Sequence, residues 1–282
     1  MAVKPVVAVL GRGLVPPETP ILRADDLGVV RGDGVFETMH VRDGQPWLLA
    51  EHLARMARSA ARLELDLPDR DTLAELVALT CAGWPAAAEG ALRLVCTRGA
   101  EDGGPVTGFA RLAMVPESIR TARRTGLAVA TATLGIAAAA RAAAPWLLGG
   151  VKALSYAVNM ASQRWAGARG LDDVLWVSAD GFALEAPTSS LVWLAGGALC
   201  TVPADRTGIL PGITADWLLD RAPDAGWRPV RRMVRPAELL AADGVWLTSS
   251  VRGAVAVREL DGETLPASTH TATLARLLGL TA

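Results

Sequence analysis

The chain has 282 residues, 51% hydrophobic and 20% charged, with a formal net charge of -1 at pH 7. That length is enough for a substantial core and two domains, and the composition is that of a water-soluble globular protein. The balanced charge argues against nucleic acid or an anionic membrane as partner, and the scattered Cys81, Cys96 and Cys200, lacking a C-x-x-C spacing, argue against disulfides and zinc and for a reducing cytoplasm.

The opening residues, broken by Pro5, Pro16 and Pro17, hold no continuous apolar region of the signal-peptide kind. Residues 6–10 read as a first strand, and Gly11-Arg12-Gly13 as a hairpin turn rather than a dinucleotide loop, because a third glycine is missing. Arg31-Gly32-Asp33-Gly34 permits a close backbone path, after which Val35, Glu37, Met39 and Val41 alternate with Phe36, Thr38 and His40 as a strand does. Asp43-Gly44 closes that strand in a hairpin. Residues 51–65 form an amphipathic helix with Leu53, Met56, Ala60 and Leu63 on one face; Arg55, on another face, reads by itself as a solvated helix arginine. A helix over 71–81 and strands over 92–98 and 109–115 complete an α+β unit. Residues 117–125, polar, basic and led by Pro116, read as a linker between domains spanning 1–116 and 126–282.

After a strand over 127–134 comes an alanine-rich stretch, 137–145, which carries no conformational signal and is too short and too interrupted to cross a bilayer. Then comes Lys152. Only two of the 28 basic residues are lysines, Lys4 and Lys152. Where a cation would serve, this chain uses arginine, so a lysine among apolar residues points to something a guanidinium cannot do, namely losing a proton and attacking a carbonyl. The plainer alternative is a lysine that buries its stem and keeps its head in water. Residues 154–165 have helical spacing and stop near Gly167 and Gly170. Strands over 173–178 and 182–187 come next; on the second, Glu185 lies between Leu184 and Ala186 and either needs a buried partner or sits at a wet strand edge. A hairpin over Gly196-Gly197 leads to Gly208-Ile209-Leu210-Pro211-Gly212-Ile213-Thr214, a glycine-rich turn with Thr214 as cap of a helix over 215–219, which is a ready anion seat or an ordinary capped helix. A strand ending in Thr248, Ser249 and Ser250, a hairpin over Asp261-Gly262 and a helix over 271–278 close the chain. The three histidines, His40, His52 and His270, show no metal-ligand spacing, and there is no G-x-S-x-G.

A lysine, a carboxylate, an arginine and two hydroxyl- or glycine-lined turns suit one cofactor, pyridoxal 5'-phosphate, whose aldehyde needs an amine, whose ring nitrogen needs an acid and whose phosphate needs an anion site. The motifs R-G-D-G-V-F-E-T at 31–38, H-L-A-R at 52–55, K-A-L-S-Y-A-V-N at 152–159, E-A-P-T-S-S at 185–190, L-P-G-I-T at 210–214 and L-T-S-S-V-R-G at 247–253, in this order, resemble the fold-type IV pyridoxal-phosphate enzymes, the class IV aminotransferase family. The resemblance implies an α/β (α+β) fold of two domains with the cofactor at their interface, and a homodimer. It implies Lys152 as the Schiff-base lysine, Glu185 as partner of the pyridine nitrogen, and Arg55, Ile213, Thr214 and Ser249 or Ser250 around the phosphate. Tyr156, the only tyrosine, falls where some members place one on the ring hydroxyl.

Within the family the 4-amino-4-deoxychorismate lyases are the most similar in pattern, through Phe36-Glu37-Thr38 and Ser250-Val251-Arg252-Gly253. D-amino-acid aminotransferases usually have tyrosine where Phe36 stands, and branched-chain enzymes usually end the last motif in Ala-Ala-Glu. The lyase reading implies that Lys152 is the general base, that Thr38 assists the leaving oxygen, that Phe36 lies against the substrate, and that Arg31, Arg93, Arg98 and Arg252 are candidates for the substrate's carboxylates. A transaminase of the same fold is the alternative; a non-catalytic small-molecule binder is a third, weaker reading.

Overall fold

The alternation along residues 34–42 organises the first of two compact units. The computed structural model describes residues 3–280. Unit one comprises the chain up to Pro116 together with Val151–Tyr156, and unit two comprises Glu117–Gly150 and the chain from Ala157 onward.

Unit one holds strands β1 (Val6–Val9) and β2 (Gly13–Val15), helix α1 (Leu27–Val30), strands β3 (Gly34–Arg42) and β4 (Gln45–Pro46), helices α2 (Leu49–Arg62) and α3 (Arg70–Ala82), and strands β5 (Gly90–Thr97) and β6 (Thr107–Met114). The six strands form one antiparallel sheet in the order β2-β1-β6-β5-β3-β4. Asp43 and Gly44 both take positive φ, 49° and 73°, as a two-residue hairpin requires. Because strand side chains alternate, Val35, Met39, Val41, Leu92, Leu94 and Leu112 face one way and pack on Leu53, Met56 and Ala60 of α2 and Leu73, Leu76 and Val77 of α3. The opposite face carries Phe36, Thr38, Arg93 and Arg111 in matching register.

Residues 151–156 belong to this unit although they lie far along the chain. Ala153 bridges to Val35, Phe36 N donates to Lys152 O at 3.1 Å and Leu154 N donates to Gly34 O at 2.9 Å. The segment therefore extends the sheet for a few residues along the start of β3, at the opposite end from the one that β4 pairs. The glycines of the 31–34 motif make room for it: a Cβ on Gly32, at φ +69°, would stand 2.8 Å from Ser155 Oγ, and one on Gly34 would stand 2.6 Å from Cys96 O and 2.7 Å from Leu154 Cδ1. The helical spacing expected from 154 onward begins only at Ala157, because 152–154 pairs with a strand instead.

Unit two holds α4 (Glu117–Thr125), β7 (Leu127–Thr133), α5 (Ala140–Ala143), α6 (Ala157–Gly167), β8 (Asp173–Val177), β9 (Glu185–Ala186), β10 (Ser189–Ala195), β11 (Ala198–Thr201), α7 (Ala204–Thr207), α8 (Ile213–Asp220), β12 (Arg228–Arg231), α9 (Pro236–Leu239), β13 (Gly244–Ser249), β14 (Gly253–Leu260), β15 (Glu263–Thr264) and α10 (Thr271–Leu277). Its nine-stranded sheet runs β12-β11-β10-β13-β14-β7-β8, with β15 on β14 and β9 on β10. Trp193, Leu175, Leu184, Leu191, Leu247 and Val255 are at the centre of its core. Residues 117–125, expected as a linker, are helix α4, which has no fully buried residue and so offers the sequence no apolar stripe. The strand expected over 182–187 is reduced to the two residues of β9. Among the described residues no helix is long and apolar enough to cross a membrane.

Gly34→Ala should lower unfolding stability by about 1–3 kcal/mol, the usual cost of forcing atoms into a packed position. Urea denaturation followed by tryptophan fluorescence measures it, and an unchanged midpoint would mean that position 34 is not packed against Cys96 and Leu154.

Candidate active site

Lys152 is buried, with 9% exposure. Its backbone is fixed at both polar groups: the N–H donates to Ser59 Oγ at 3.1 Å, and the carbonyl accepts from Phe36. The amine donates to Tyr156 Oη at 3.3 Å and lies 4.4 Å from the centroid of the Phe36 ring and 5.5 Å from that of Tyr156. Those two rings meet edge to face at 5.0 Å. The amine thus sits against two aromatic rings with a phenol in reach. Phe36 shares its strand face with Thr38, and Thr38 is paired in register with Arg93. The side-chain set assembled here is therefore Lys152, Tyr156, Phe36, Thr38 and Arg93.

Behind this face lies a charged cluster that the residue pattern did not disclose. Glu37, between Val35 and Met39, points into the core with no exposure. Arg55 Nε and Nη2 donate to its two oxygens at 2.7 Å each, and His52 Nδ1 lies 2.7 Å from Oε2. A bidentate arginine is the geometry that best offsets the desolvation of a buried carboxylate. Burial alone would raise the Glu37 pKa, but the Arg55 and His52 interactions outweigh it and hold the carboxyl at about 2. Burial pushes His52 below its ordinary value. Arg55 is therefore not a solvated helix arginine; its guanidinium is buried and oriented by Glu37. The overlooked signal is an acid on the apolar side of an alternating strand, with His52 and Arg55 one helical turn apart.

In unit two Glu185 is buried, and its Oε2 accepts from Leu210 N at 3.1 Å while Oε1 lies 3.4 Å from Arg141 Nη1. Arg141 comes from the alanine-rich stretch that gave no sequence signal. Ser190 is opposite Glu185 on one side and Thr248 on the other. A Cβ on Gly212 would stand 2.1 Å from Ser190 Oγ, so that position must be glycine for the turn to approach the strand. Gly212, and not Thr214, is the N-cap of α8, and it has no side chain to cap with. Thr214 is instead the second residue of the helix, with its hydroxyl buried and without a hydrogen-bond partner among the described residues. Backbone N–H groups at a helix start beside an unpaired hydroxyl are suited to an anion. Ser249 ends β13, its hydroxyl accepting from Arg252 N at 3.3 Å, and Ser250 comes next, buried.

The four arginines expected at substrate carboxylates separate clearly. Arg98 forks onto Asp33 at 2.7 and 3.2 Å and also donates to the carbonyls of Leu63 and Glu64, so it ties the 31–34 loop to the end of α2. Arg252 donates to buried Asp173 at 2.8 Å and to Ser189 Oγ at 3.0 Å. Each of these two guanidiniums is paired with a carboxylate of its own chain. Arg31 is exposed at the end of α1 and bonds the neighbouring Val30 carbonyl. Arg93 has no ion pair among the described residues; its guanidinium lies 5.9 Å from the Phe36 ring centroid, on the wall of a cavity that Thr38 also lines.

An amine on aromatic faces in unit one, and in unit two a hydrogen-bonded buried acid and a helix start with an unpaired hydroxyl, are groups that a pyridoxal-phosphate enzyme uses. Residues 34–260 match the amino-transferase class IV family, and the chain belongs to it. It is 40% identical over 269 residues, 93% of each chain, to a Mycobacterium tuberculosis protein named bifunctional aminodeoxychorismate lyase / D-amino acid transaminase. A solved Mycobacterium tuberculosis structure described as a hypothetical aminotransferase in its PLP-bound form covers 97% of both chains at 40% identity, with a TM-score of 0.94. A fold IV transaminase, CpuTA1, from Curtobacterium pusillum gives 0.90 at 37% identity, covering 98% of this chain and 97% of its own. The cofactor is accordingly pyridoxal 5'-phosphate. The residues present fit it: the unpaired Thr214 hydroxyl and the uncapped start of α8 suit its phosphate, and Lys152 is an amine buried on rings.

The Glu37 cluster makes stability fall with acid in two stages. His52, neutral in the fold with its pKa lowered, resists the charge it acquires when unfolded, so stability begins to fall as pH drops below about 6.5. Glu37, with its pKa depressed from 4.5 to about 2, contributes fully above 4.5 and loses that contribution as pH falls toward 2. Glu37→Gln should cost about 3–5 kcal/mol at pH 7, because it leaves a buried guanidinium uncompensated, and should flatten the loss between pH 4.5 and pH 2. Urea titrations across pH test both.

Proposed function

We propose that the chain is an aminodeoxychorismate lyase, converting 4-amino-4-deoxychorismate to 4-aminobenzoate and pyruvate. The observation that carries this reading is the face of unit one on which Lys152, Phe36, Thr38 and Arg93 are gathered. It offers a base, an apolar ring surface, a hydroxyl and an unpaired cation in sequence. The name of the 40%-identical Mycobacterium tuberculosis protein includes this activity.

When bound, the cofactor supplies an electron-accepting ring that lowers the energy of a carbanion at the carbon bearing the amine. Glu185, held by Leu210 N–H and Arg141, would be the partner of the pyridine nitrogen and would favour its protonated form. In unit two the Ile213 and Thr214 amides, the Thr214 hydroxyl and the Ser249 or Ser250 hydroxyl would hold the phosphate, a role the resemblance also gives to Arg55. Tyr156, already in contact with the Lys152 amine, orients the ring hydroxyl. The Lys152 amine removes the proton from C4 of the substrate as general base. Thr38 donates to the ether oxygen as the bond from C3 breaks, so that pyruvate leaves and the ring becomes aromatic. Phe36 lies along the substrate ring, and Arg93 takes a carboxylate. The homodimer implied by the resemblance belongs to the same reading.

A D-amino-acid transaminase is the second reading, favoured by the double name of that same relative. It needs the same lysine and glutamate but gives Thr38 no role.

The purified protein should be yellow, lose its colour with borohydride, and release 4-aminobenzoate from 4-amino-4-deoxychorismate. Lys152→Ala should abolish release, by at least about four orders of magnitude if base and cofactor anchor are lost together. Rapid conversion of the cofactor by common amino acids, with no 4-aminobenzoate formed, would reverse the order of the two readings. Thr214→Val should weaken cofactor binding about 10- to 100-fold, the range for a hydrogen bond to a charged group. Its affinity for pyridoxal, which has no phosphate, should stay the same in a fluorescence titration.

A further inference from the structure

Arg111 stands out by nothing in its sequence context, and no step of the proposed reaction uses it. It lies directly opposite Arg93 across β5 and β6, and Thr38 is opposite Arg93 on the other side. Directly opposed residues of an antiparallel pair put their side chains on the same face, and like charges placed there repel. Three arginines of this unit are matched with acids: Arg23 with Asp25, Arg55 with Glu37 and Arg98 with Asp33. Arg93 and Arg111 have neither an ion pair nor a hydrogen bond among the described residues, and both line one cavity of about 460 Å³.

The rows beside the arginine row have a different character. On one side Phe36, Val95 and Phe109 are in register, and on the other Ala91 is opposite Ala113. The cavity is therefore an apolar slot crossed by a paired, uncompensated double cation. The Phe36 ring centroid lies 5.9 Å from the Arg93 guanidinium and 4.4 Å from the Lys152 amine, and Leu154, two residues after that lysine, lines the slot. Two guanidiniums that repel one another carry charge enough to balance two anionic groups.

We propose that Arg111 and Arg93 together form a two-point anion subsite, and that Arg111 determines specificity for a flat ring carrying two carboxylates. The proposal rests on the lyase reading for its natural substrate, which has a ring carboxylate and an enolpyruvyl carboxylate. It stands on its own for the ligand chemistry. Arg93 alone would accept any carboxylate; Arg111 adds the demand for a second.

Isothermal titration of the holoenzyme tests it with three probes: isophthalate, a ring with two carboxylates; benzoate, a ring with one; and glutarate, two carboxylates without a ring. The wild type should bind isophthalate at least about 10-fold more tightly than either of the others, the scale of one charge-assisted interaction. In Arg111→Gln, isophthalate should fall to the benzoate level while benzoate itself changes less than about two-fold, and Arg111→Lys, keeping charge without the fork, should fall between. The cofactor absorption band should be unchanged in both variants, which reports an intact fold. With 4-amino-4-deoxychorismate, Arg111→Gln should raise KM about 10-fold with kcat within about three-fold, the pattern of lost uniform binding. Retention of the isophthalate preference in Arg111→Gln, or its absence in the wild type, would overturn the proposal. A wild type that forms no 4-aminobenzoate yet shows the preference, and loses it with Arg111, would remove the lyase reading and leave the subsite standing.

Discussion

The structure depends on a few backbone hydrogen bonds between β3 and residues 152–154. These bonds fix the lysine from its main chain and so bring its amine to the Phe36 ring. A flexible four-carbon side chain carries considerable rotamer entropy, and anchoring its backbone on both sides is a direct way to aim it. The glycine at 32 is a consequence, since a Cβ there would meet Ser155; at 34 a Cβ would meet the Cys96 carbonyl of β5 as well as Leu154. Asp33, between them, is bound to Arg98.

One strand serves both faces of its sheet. Residues 35, 37, 39 and 41 face the helices, and there Glu37 gathers His52 and Arg55 into a core that is otherwise apolar. Residues 36 and 38 face the other way, toward the lysine and the cavity. The motif Phe36-Glu37-Thr38 thus alternates between two tasks. Its middle residue holds an arginine assigned to the cofactor phosphate, and its outer residues lie on the face assigned to the substrate.

Much of this is legible in the residues alone. Period-two alternation finds β3, β5 and β6, Asp43-Gly44 finds the hairpin that ends β3, and the scarcity of lysine singles out Lys152. The hidden parts have physical causes. Residues 152–154 look like the start of a helix because Leu154 fits the 3.6-residue period of residues 157–165, and their pairing partner is more than a hundred positions earlier. Helix α4 hides because it buries nothing completely. Arg98, Arg252 and Arg111 are alike as letters. Only the tertiary partners separate them: Asp33 for the first, Asp173 for the second, and another arginine for the third.

The chain passes from one unit to the other at Pro116, returns at Val151 and leaves again after Tyr156. Unit one is therefore not a contiguous segment of gene. On the ribosome, residues 1–116 can pair their strands long before 151–156 emerge, and until then the first residues of β3 present unsatisfied N–H and C=O groups along an open border. Such borders recruit other strands. A nascent or truncated chain ending near residue 116 is accordingly exposed to edge-to-edge self-association, and the late arrival of the lysine segment doubles as the cap that ends this hazard.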